Sequence, residues 1–433
     1  MKSRLISLLL TVLATVFSPA FANNSAHGSH HDKLDVDLEN LYVEPGMGSE
    51  ISPFAYISSN AIWPTLTINV CWINPGSTNI NERSWVKESV ERTWGRNSRL
   101  IFAGWGQCPT QNQGNAVRIQ IEDVRSNAYV GKYAATQPIS MRLNFSYTAY
   151  GGTSVCKTGG STAYRQCVEG TAVHEFGHTL GFIHEQNRPD NPDPNNSYCP
   201  RVAGEIPSDA IAIGGLDINS IMHYCNPEYL NYGELSDGDI YAVQTYYKKP
   251  LSDSNGTFNA DVYLDLNPDL KAIYGRNHDA LYNHWIQWGI QAGLRASFEF
   301  DAKYYLSANP DLVAAYGQNY VAAYNHWIQW GINEGRSASR EFNTKEYLNK
   351  NPDLKSYYGA TAYRSALNHW LQWGYKEKRQ SSASFYAKNY WGRYPDIYDI
   401  AKYTSSMSTY TFDAHKVFLH WINIGRLAGR IGY

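Results

Sequence analysis
The chain is 433 residues long, more than one ordinary domain holds, so two or three domains are expected. Lys plus Arg number 37 against 39 Asp plus Glu, a net charge of −2, which excludes a broad electrostatic pull towards nucleic acid or an anionic membrane. The 13 Trp and 34 Tyr point instead to aromatic-rich cores or contact surfaces.

Lys2 and Arg4 head an apolar run, Leu5 to Phe17, that is too short to span a bilayer. Ala20-Phe21-Ala22 has the small-x-small form of a cleavage site. Residues 1–22 therefore read as a Sec-type signal peptide, with a mature start at Asn23 and a secreted destination. No later stretch is long and apolar enough for a membrane span. The six cysteines, Cys71, Cys108, Cys156, Cys167, Cys199 and Cys225, are an even number in an exported chain and predict three disulfides. Cys156 with Cys167, Cys71 with Cys108 and Cys199 with Cys225 is one of many pairings that remain open. No close Cys-x-x-Cys pair exists to hold a metal.

Residues 23–60 are polar, with His27, His30 and His31 followed by Asp32, Asp35, Asp37 and Glu39. They read as a polar N-terminal segment or a short propeptide. Leu66 to Ile73 alternates and is β-branched, so it predicts a strand. Trp85, Val86, Val90 and Trp94 recur at helical spacing between Ser84, a candidate N-cap, and Arg99. Val117 to Val124 and Ile139 to Phe145 alternate again and give two more strands. Thr148 to Gly160 is a Gly/Ser/Thr-rich loop. Gln166 to Leu180 reads as a helix whose buried face is Val168, Ala172, Val173, Phe176 and Leu180. Asn191 to Cys199 is rich in Pro and Asn and cannot be helical. Ser236, Asp237 and Asp239 open a closing helix that runs to Tyr247.

The chemistry sits at the end of the Gln166–Leu180 helix. His174 and His178 are four residues apart, on one face and one turn from each other. Two imidazoles so placed can hold zinc, with Glu175 beside them to act on a metal-bound water. This much is a weak signal, because such triplets recur by chance in amphipathic helices. Gly181 strengthens it, since glycine tolerates the positive φ that ends a helix, and His184 follows the bend as a third ligand. Three protein ligands leave a position open for water, the mark of a catalytic site holding one zinc ion.

Downstream, Ser220-Ile221-Met222-His223-Tyr224 supplies an independent match. The extended histidine motif plus this methionine resembles the metzincin zinc endopeptidases. Glu185 directly after the third histidine, and Met222-His223-Tyr224, resemble the astacin branch. The resemblance covers about residues 60 to 250. It implies that Met222 forms a turn under the zinc, that Tyr224 is an extra ligand that swings away to stabilise the transition state, and that Glu185 is structural. It also implies that the strand Ile139–Phe145 is the sheet edge that pairs with substrate. Astacins continue with Arg, Asp and Arg; here Arg188 and Asp190 stand, followed by Asn191.

Lys248 to Thr257 is linker-like, and beyond it the chain repeats itself. Phe258, Phe300, Phe342 and Phe385 open four units, each with an Asn-Pro-Asp-Leu or variant and a closing His-Trp: His284-Trp285, His326-Trp327, His369-Trp370 and His420-Trp421. A fixed period of this kind predicts one stacked supersecondary unit; Pro-Asp at a helix start and Gly at a helix end predict two short helices in each. The looser fourth unit reads as a terminal cap. The periodic aromatics read first as shared core, with Trp288 and Trp330 as candidate sugar-stacking rings.

The expected architecture is a signal peptide (1–22), a polar segment (23–60), an α+β metzincin-like zinc protease domain with a twisted mixed sheet plus active-site helix (61–249), a linker (250–257) and an all-α array of four helical His-Trp repeats (258–433). The expected function is a secreted zinc metalloendopeptidase acting on protein or peptide substrates. The array would dock it to substrate, cell surface or glycan, with no nucleic acid involved. The rival is an exported adhesin or glycan-binding protein with a vestigial protease domain. The intact Glu175 argues against that rival, because a degenerate enzyme would most easily lose it. No Gly-rich phosphate loop supports nucleotide binding.

Overall fold
The computed structural model describes residues 55–111, 114–149, 154–192, 201, 206–224, 226, 233–397, 402–403 and 411–433. The signal segment, nearly all of the polar N-terminal stretch, and both Cys199 and Cys225, hence the third disulfide, lie outside them.

The N-terminal half is built on a five-stranded sheet of β2 (Thr67–Trp72), β3 (Ile101–Gln107), β4 (Ala116–Ile121), β5 (Asn127–Ala128) and β6 (Met141–Leu143) in the order β3-β2-β4-β6-β5. The pairs β2/β3, β2/β4 and β4/β6 are parallel, and β5 runs antiparallel at the edge. The sequence expectation made Ile139–Phe145 the free edge. In fact β6 pairs on both sides, with Ile119 opposite Met141 in β4 and Ala128 opposite Met141 in β5. Alternation marks β6 as half-buried but does not say how many neighbours it has, and two-residue β5 is too short to show a period. The sheet ends at β3 on one side and at β5 on the other.

Helix α1 (Ile80–Val90) crosses between β2 and β3 and continues into one π turn, Glu91–Gly95. It begins a turn before the expected Ser84 cap. A 3-10 turn at Ser77–Asn79 feeds into it, the Asn79 side-chain carbonyl accepts from Gly76 N and Arg83 Nε, and the Ser84 hydroxyl is spent on Glu88 within the helix. The Thr148–Gly160 loop contains a short helix, α2 (Ser154–Thr158). It is tied to the next helix by Cys156–Cys167, and Cys71–Cys108 staples β2 to the end of β3.

Helix α3 (Gly160–Thr179) packs into the core that the sheet contributes to. Its expected apolar face, Val168, Ala172, Val173, Phe176 and Leu180, is fully buried in one core with Ile68, Val70, Val117, Ile119 and Trp94. Burial of each of the larger side chains on this face is worth roughly 1.5–3 kcal/mol. The Trp94 indole donates to Val173 O and stacks on Phe182 at 5.1 Å. In this half four strands escaped the sequence reading: β3, β5, β1 (Ala55–Ser58), assigned there to the polar segment, and β7 (Ala210–Ile213). Strands β1 and β7 pair antiparallel beside the exit of α3. Helix α4 (Asp237–Tyr247) closes this half with a Ser236–Asp239 capping box.

Past the linker each of the first three units folds as three short helices, not two. In the first they are α5 (Ala260–Leu266), α6 (Asp269–Tyr274) and α7 (His278–His284), the last running into the π turn Trp285–Gly289. The expected pair missed the helix that Phe-Asn or Phe-Asp starts, where Asn259, Asp301 and Asn343 cap by accepting from backbone N–H groups. Within each unit the opening Phe lies against the closing Trp, as in Phe342–Trp370 at 5.2 Å, and the closing His Nδ1 meets a tyrosine hydroxyl. Those pairs are His284–Tyr263, His326–Tyr305, His369–Tyr347 and His420–Tyr390. The His-Trp motif is therefore core, and no group of three or more His, Cys, Asp or Glu in the array gathers around a metal position among the described residues. The array packs back on the N-terminal half. Arg276 bridges Asp261 and Leu100 O, Arg99 reaches Asp279 at 3.1 Å, and Arg96 reaches Asp265 at 3.4 Å.

Candidate metal centre
Helix α3 ends in a Schellman motif: Phe182 N–H donates to Gly177 O, Gly181 N–H donates to His178 O, and Gly181 adopts φ 101°. The chain leaving that turn is pinned to β1, with Ser58 N–H donating to Gly181 O and Ile183 N–H to Tyr56 O. The helix thus fixes His174 and His178, and the strand pairing fixes His184.

All three imidazoles are buried, and each offers a ring nitrogen within 4.8 Å of the other two. His174 Nδ1 lies 2.7 Å from Ile221 O and His178 Nδ1 lies 2.9 Å from Phe182 O. A carbonyl only accepts, so both Nδ1 atoms carry the proton and both Nε2 lone pairs face inward. His178 Nε2 and His184 Nε2 are 3.0 Å apart, while His174 Nε2 is buried with no hydrogen-bond partner. Burial drives the pKa of His174 down to about 3, aided by the nearby His178, and that of His178 down to about 4. His184 is lowered too, by burial and then by the other two histidines. Three neutral nitrogens converging in a dry site fit zinc. Tetrahedral coordination at 2.0–2.1 Å separates ligand nitrogens by about 3.3 Å, and the orphaned His174 nitrogen lacks only an acceptor of its lone pair.

Glu175 is buried beside them. One carboxylate oxygen, Oε2, has no partner, and burial pushes its pKa up to about 8 against the pull of Arg125. Beneath the helix lies Met222. A Cβ on Gly177 would collide with its sulfur, so the glycine and the methionine require each other. The turn carrying Met222 is held by Asp239 at the start of α4, which accepts from Ser220 Oγ at 2.7 Å and Ile221 N at 2.9 Å. Ile221 in turn supplies the carbonyl that orients His174. Glu185 points away from the three ring nitrogens. Its Oε1 accepts from Asp217 N at 3.1 Å and lies 3.4 Å from the buried Arg188. Arg188 also donates to Ala55 O and Ile213 O, joining β1 to β7. The Tyr224 ring, 41% exposed, sits 4.2 Å from the His184 ring and 5.3 Å from that of His174.

Every site residue expected from the motif is thus gathered in one place. Sequence reasoning missed Arg125, Asp239 and the carbonyls of Ile221 and Phe182. Backbone carbonyls carry no sequence signal, and Asp239 looked like an ordinary helix-start acid. Arg125 stands in a loop without a motif.

The family model for astacin, a peptidase family, matches residues 87–194, a span that contains α3 and all three histidines. No curated protein matches the chain. Among solved structures, myroilysin is similar at 20% identity with a TM-score of 0.32, covering 45% of this chain and 100% of that one. High choriolytic enzyme 1, a hatching enzyme zinc-protease from Oryzias latipes (medaka fish), is similar at 15% identity with a TM-score of 0.26, covering 47% and 98%. The family match falls on the segment whose three histidines could hold a zinc ion, and this part of the chain is similar to an astacin-type zinc metalloendopeptidase domain.

Proposed function
We propose that the chain is an exported enzyme that hydrolyses internal peptide bonds of proteins. Its catalytic part would run from Ala55 to about residue 249, followed by a linker and a docking array over 258–433. One observation carries the catalytic reading: three neutral buried imidazoles converge beside the orphaned carboxylate oxygen of Glu175. His174, His178 and His184 would hold one zinc ion, which when bound supplies Lewis acidity and brings the pKa of a water towards neutral. Glu175 then takes a proton from the attacking water and hands it to the leaving amine, a role suited to a carboxylate whose proton affinity is raised. The Tyr224 hydroxyl donates to the oxygen that turns anionic on the scissile carbonyl, and the exposure of its ring leaves it room to move. Met222 and Glu185 would be structural supports. Export is supported by the two disulfides.

Docking by the array is supported by Trp288 and Trp330, which stand 64% and 61% exposed at the same position of successive units. Rings so displayed can stack on sugars of a cell-surface glycan. Degradation of unfolded casein tests the enzyme. The wild type should cleave it, and Glu175→Ala should lose about 10²–10⁴-fold in turnover while keeping one zinc per chain. Turnover surviving in that variant refutes the general-base role. Replacing Trp288 and Trp330 together by Ala should abolish sedimentation with insoluble cell-wall polysaccharide and leave casein cleavage intact; unchanged sedimentation would sink the docking role.

A further inference from the structure
We propose that the repeat array is a hinged arm: it lies docked on the N-terminal half through exposed ion pairs, and salt releases it to turn about Lys248–Pro250. Among the described residues the two halves share no hydrophobic core. One apolar cluster gathers buried residues from Ala55 to Tyr247, and the two clusters of the array begin at Leu251 and Val262. Between the halves opens a cleft of about 970 Å³, lined by Arg92, Arg96 and Glu169 on one side and by Asp265, Arg276 and Lys416 on the other. Polar open space stands where a shared core would lie, so the seam lacks the apolar burial that holds each half together.

Charged side chains span the seam instead. Arg99 reaches Asp279 at 3.1 Å, Arg96 reaches Asp265 at 3.4 Å and Asp413 at 4.0 Å, and Lys376 lies 3.9 Å from Asp237. Arg276 adds a long bond, 3.5 Å, to Leu100 O. The Asp279 side chain is 70% exposed, and those of Lys376 and Asp237 are more than half exposed. Pairs so open to water are weak and are weakened further by salt. Inside the array, by contrast, the pair Arg295–Glu341 is buried, and buried pairs are screened much less. Rising salt therefore loosens the seam before it loosens the array.

The joint is short. Of the stretch that reads as a linker, the part from Leu251 onwards is bonded into the array: Leu251 N–H donates to His278 Nδ1, Leu251 O accepts from Ala260 N–H, and Asn255 O accepts from the Trp327 indole. Lys248, Lys249 and Pro250 are all that stand between it and the end of α4. Lys248 takes φ 63° and ψ 147°, a conformation that a residue with a Cβ holds only under restraint. Arg99 supplies the restraint. Its N–H donates to Tyr247 O and Lys248 O, its Nε donates to Lys249 O at 3.1 Å, and its Nη1 donates to Asp279. One residue thus clasps both the strained joint and the array. With the ion pairs screened, Lys248 relaxes towards negative φ and the arm swings.

Small-angle X-ray scattering of the full-length chain over a salt series tests this. Between about 0.1 M and about 1 M NaCl the screening length falls from about 10 Å to about 3 Å. Over that range the radius of gyration should rise while far-UV circular dichroism stays constant. Asp279→Asn should move the transition to lower salt. Asp279→Arg, which sets two cations against each other, should move it further in the same direction, again with unchanged circular dichroism. A radius of gyration that stays constant across the series overturns the hinge. A rise that comes with loss of helical signal overturns it too, because the chain is then unfolding. A transition at the same salt in wild type and Asp279→Arg shows that the Arg99–Asp279 clasp does not hold the arm.

Discussion

Asp239 acts on the centre without touching it. Its carboxylate accepts from Ser220 Oγ, Ile221 N and Ser236 N, so one side chain both caps α4 and pins the turn whose Ile221 carbonyl orients His174. Removing it leaves a buried N–H and a buried hydroxyl without acceptors, a cost of about 1–3 kcal/mol for each such group. Zinc should suffer as well, because partners behind the ligands commonly tune metal affinity by about 10–100-fold. Asp239→Ala is therefore expected to release zinc to a chelator at least about tenfold more readily and to melt at lower temperature. Unchanged zinc release would show that the turn holds itself. The contrast with His174 and His178 explains what could be read in advance. Four-residue spacing on a helix projects two ligands from sequence alone, and Gly181 announces the bend that brings in His184. Asp239 and Arg125 act across folds of the chain that no local pattern encodes.

Elements show the same division. Helix α3 and the closing helix α4 were legible because their apolar periods are long, whereas β1, β5 and β7 are two to four residues long and were not; β3 is seven residues long but its Gly104 and Gly106 break the alternation. The repeat period was plain, yet the reason for its Trp-Gly ending emerges only in three dimensions. A Cβ on Gly331 would collide with the Tyr305 hydroxyl, which is bonded to His326 at 2.8 Å; Gly289, Gly374 and Gly425 face Tyr263, Tyr347 and Tyr390 in the same way. Alanine normally favours a helix by about 1 kcal/mol over glycine, but forcing the packed tyrosine aside costs roughly 1–3 kcal/mol and its hydrogen bond besides. Gly331→Ala should thus lower the melting temperature. Gly392 in the Ala387–Arg393 helix has nothing within 4 Å of the added carbon, so Gly392→Ala should leave the melting temperature unchanged or raise it. A fall of equal size in both variants would refute the tyrosine contact as the cause.

At the scale of the whole molecule, the array is cross-linked between units as well as within them. Glu299, just before the second unit, accepts from the Trp370 indole at the end of the third at 2.8 Å, and Glu341, just before the third, pairs with Arg295 and Arg426. Glu341 is buried with two cations beside it. Glu299 is buried with an indole as its bonded partner, and burial pushes its pKa up to about 7, only partly opposed by that indole. An ordinary glutamate titrates near 4.3. Between those values the native chain holds a proton that the unfolded chain has released. Stability therefore falls as pH rises through this window, and the full penalty applies above it. At about 1.4 kcal/mol per pKa unit the ceiling is about 4 kcal/mol, a sizeable share of the 5–15 kcal/mol typical of a folded protein. Glutamine keeps an oxygen for the Trp370 N–H and has no charge to bury. Glu299→Gln should consequently melt a few degrees above the wild type at pH 8, with the gap narrowing towards pH 5, where Glu299 is protonated in the native chain. A gap of the same size at both pH values would mean that packing around residue 299, and not its charge, sets the difference. In that case the indole bond would be holding Glu299 ionised, and the link between second and third units would be as strong at neutral pH as in acid.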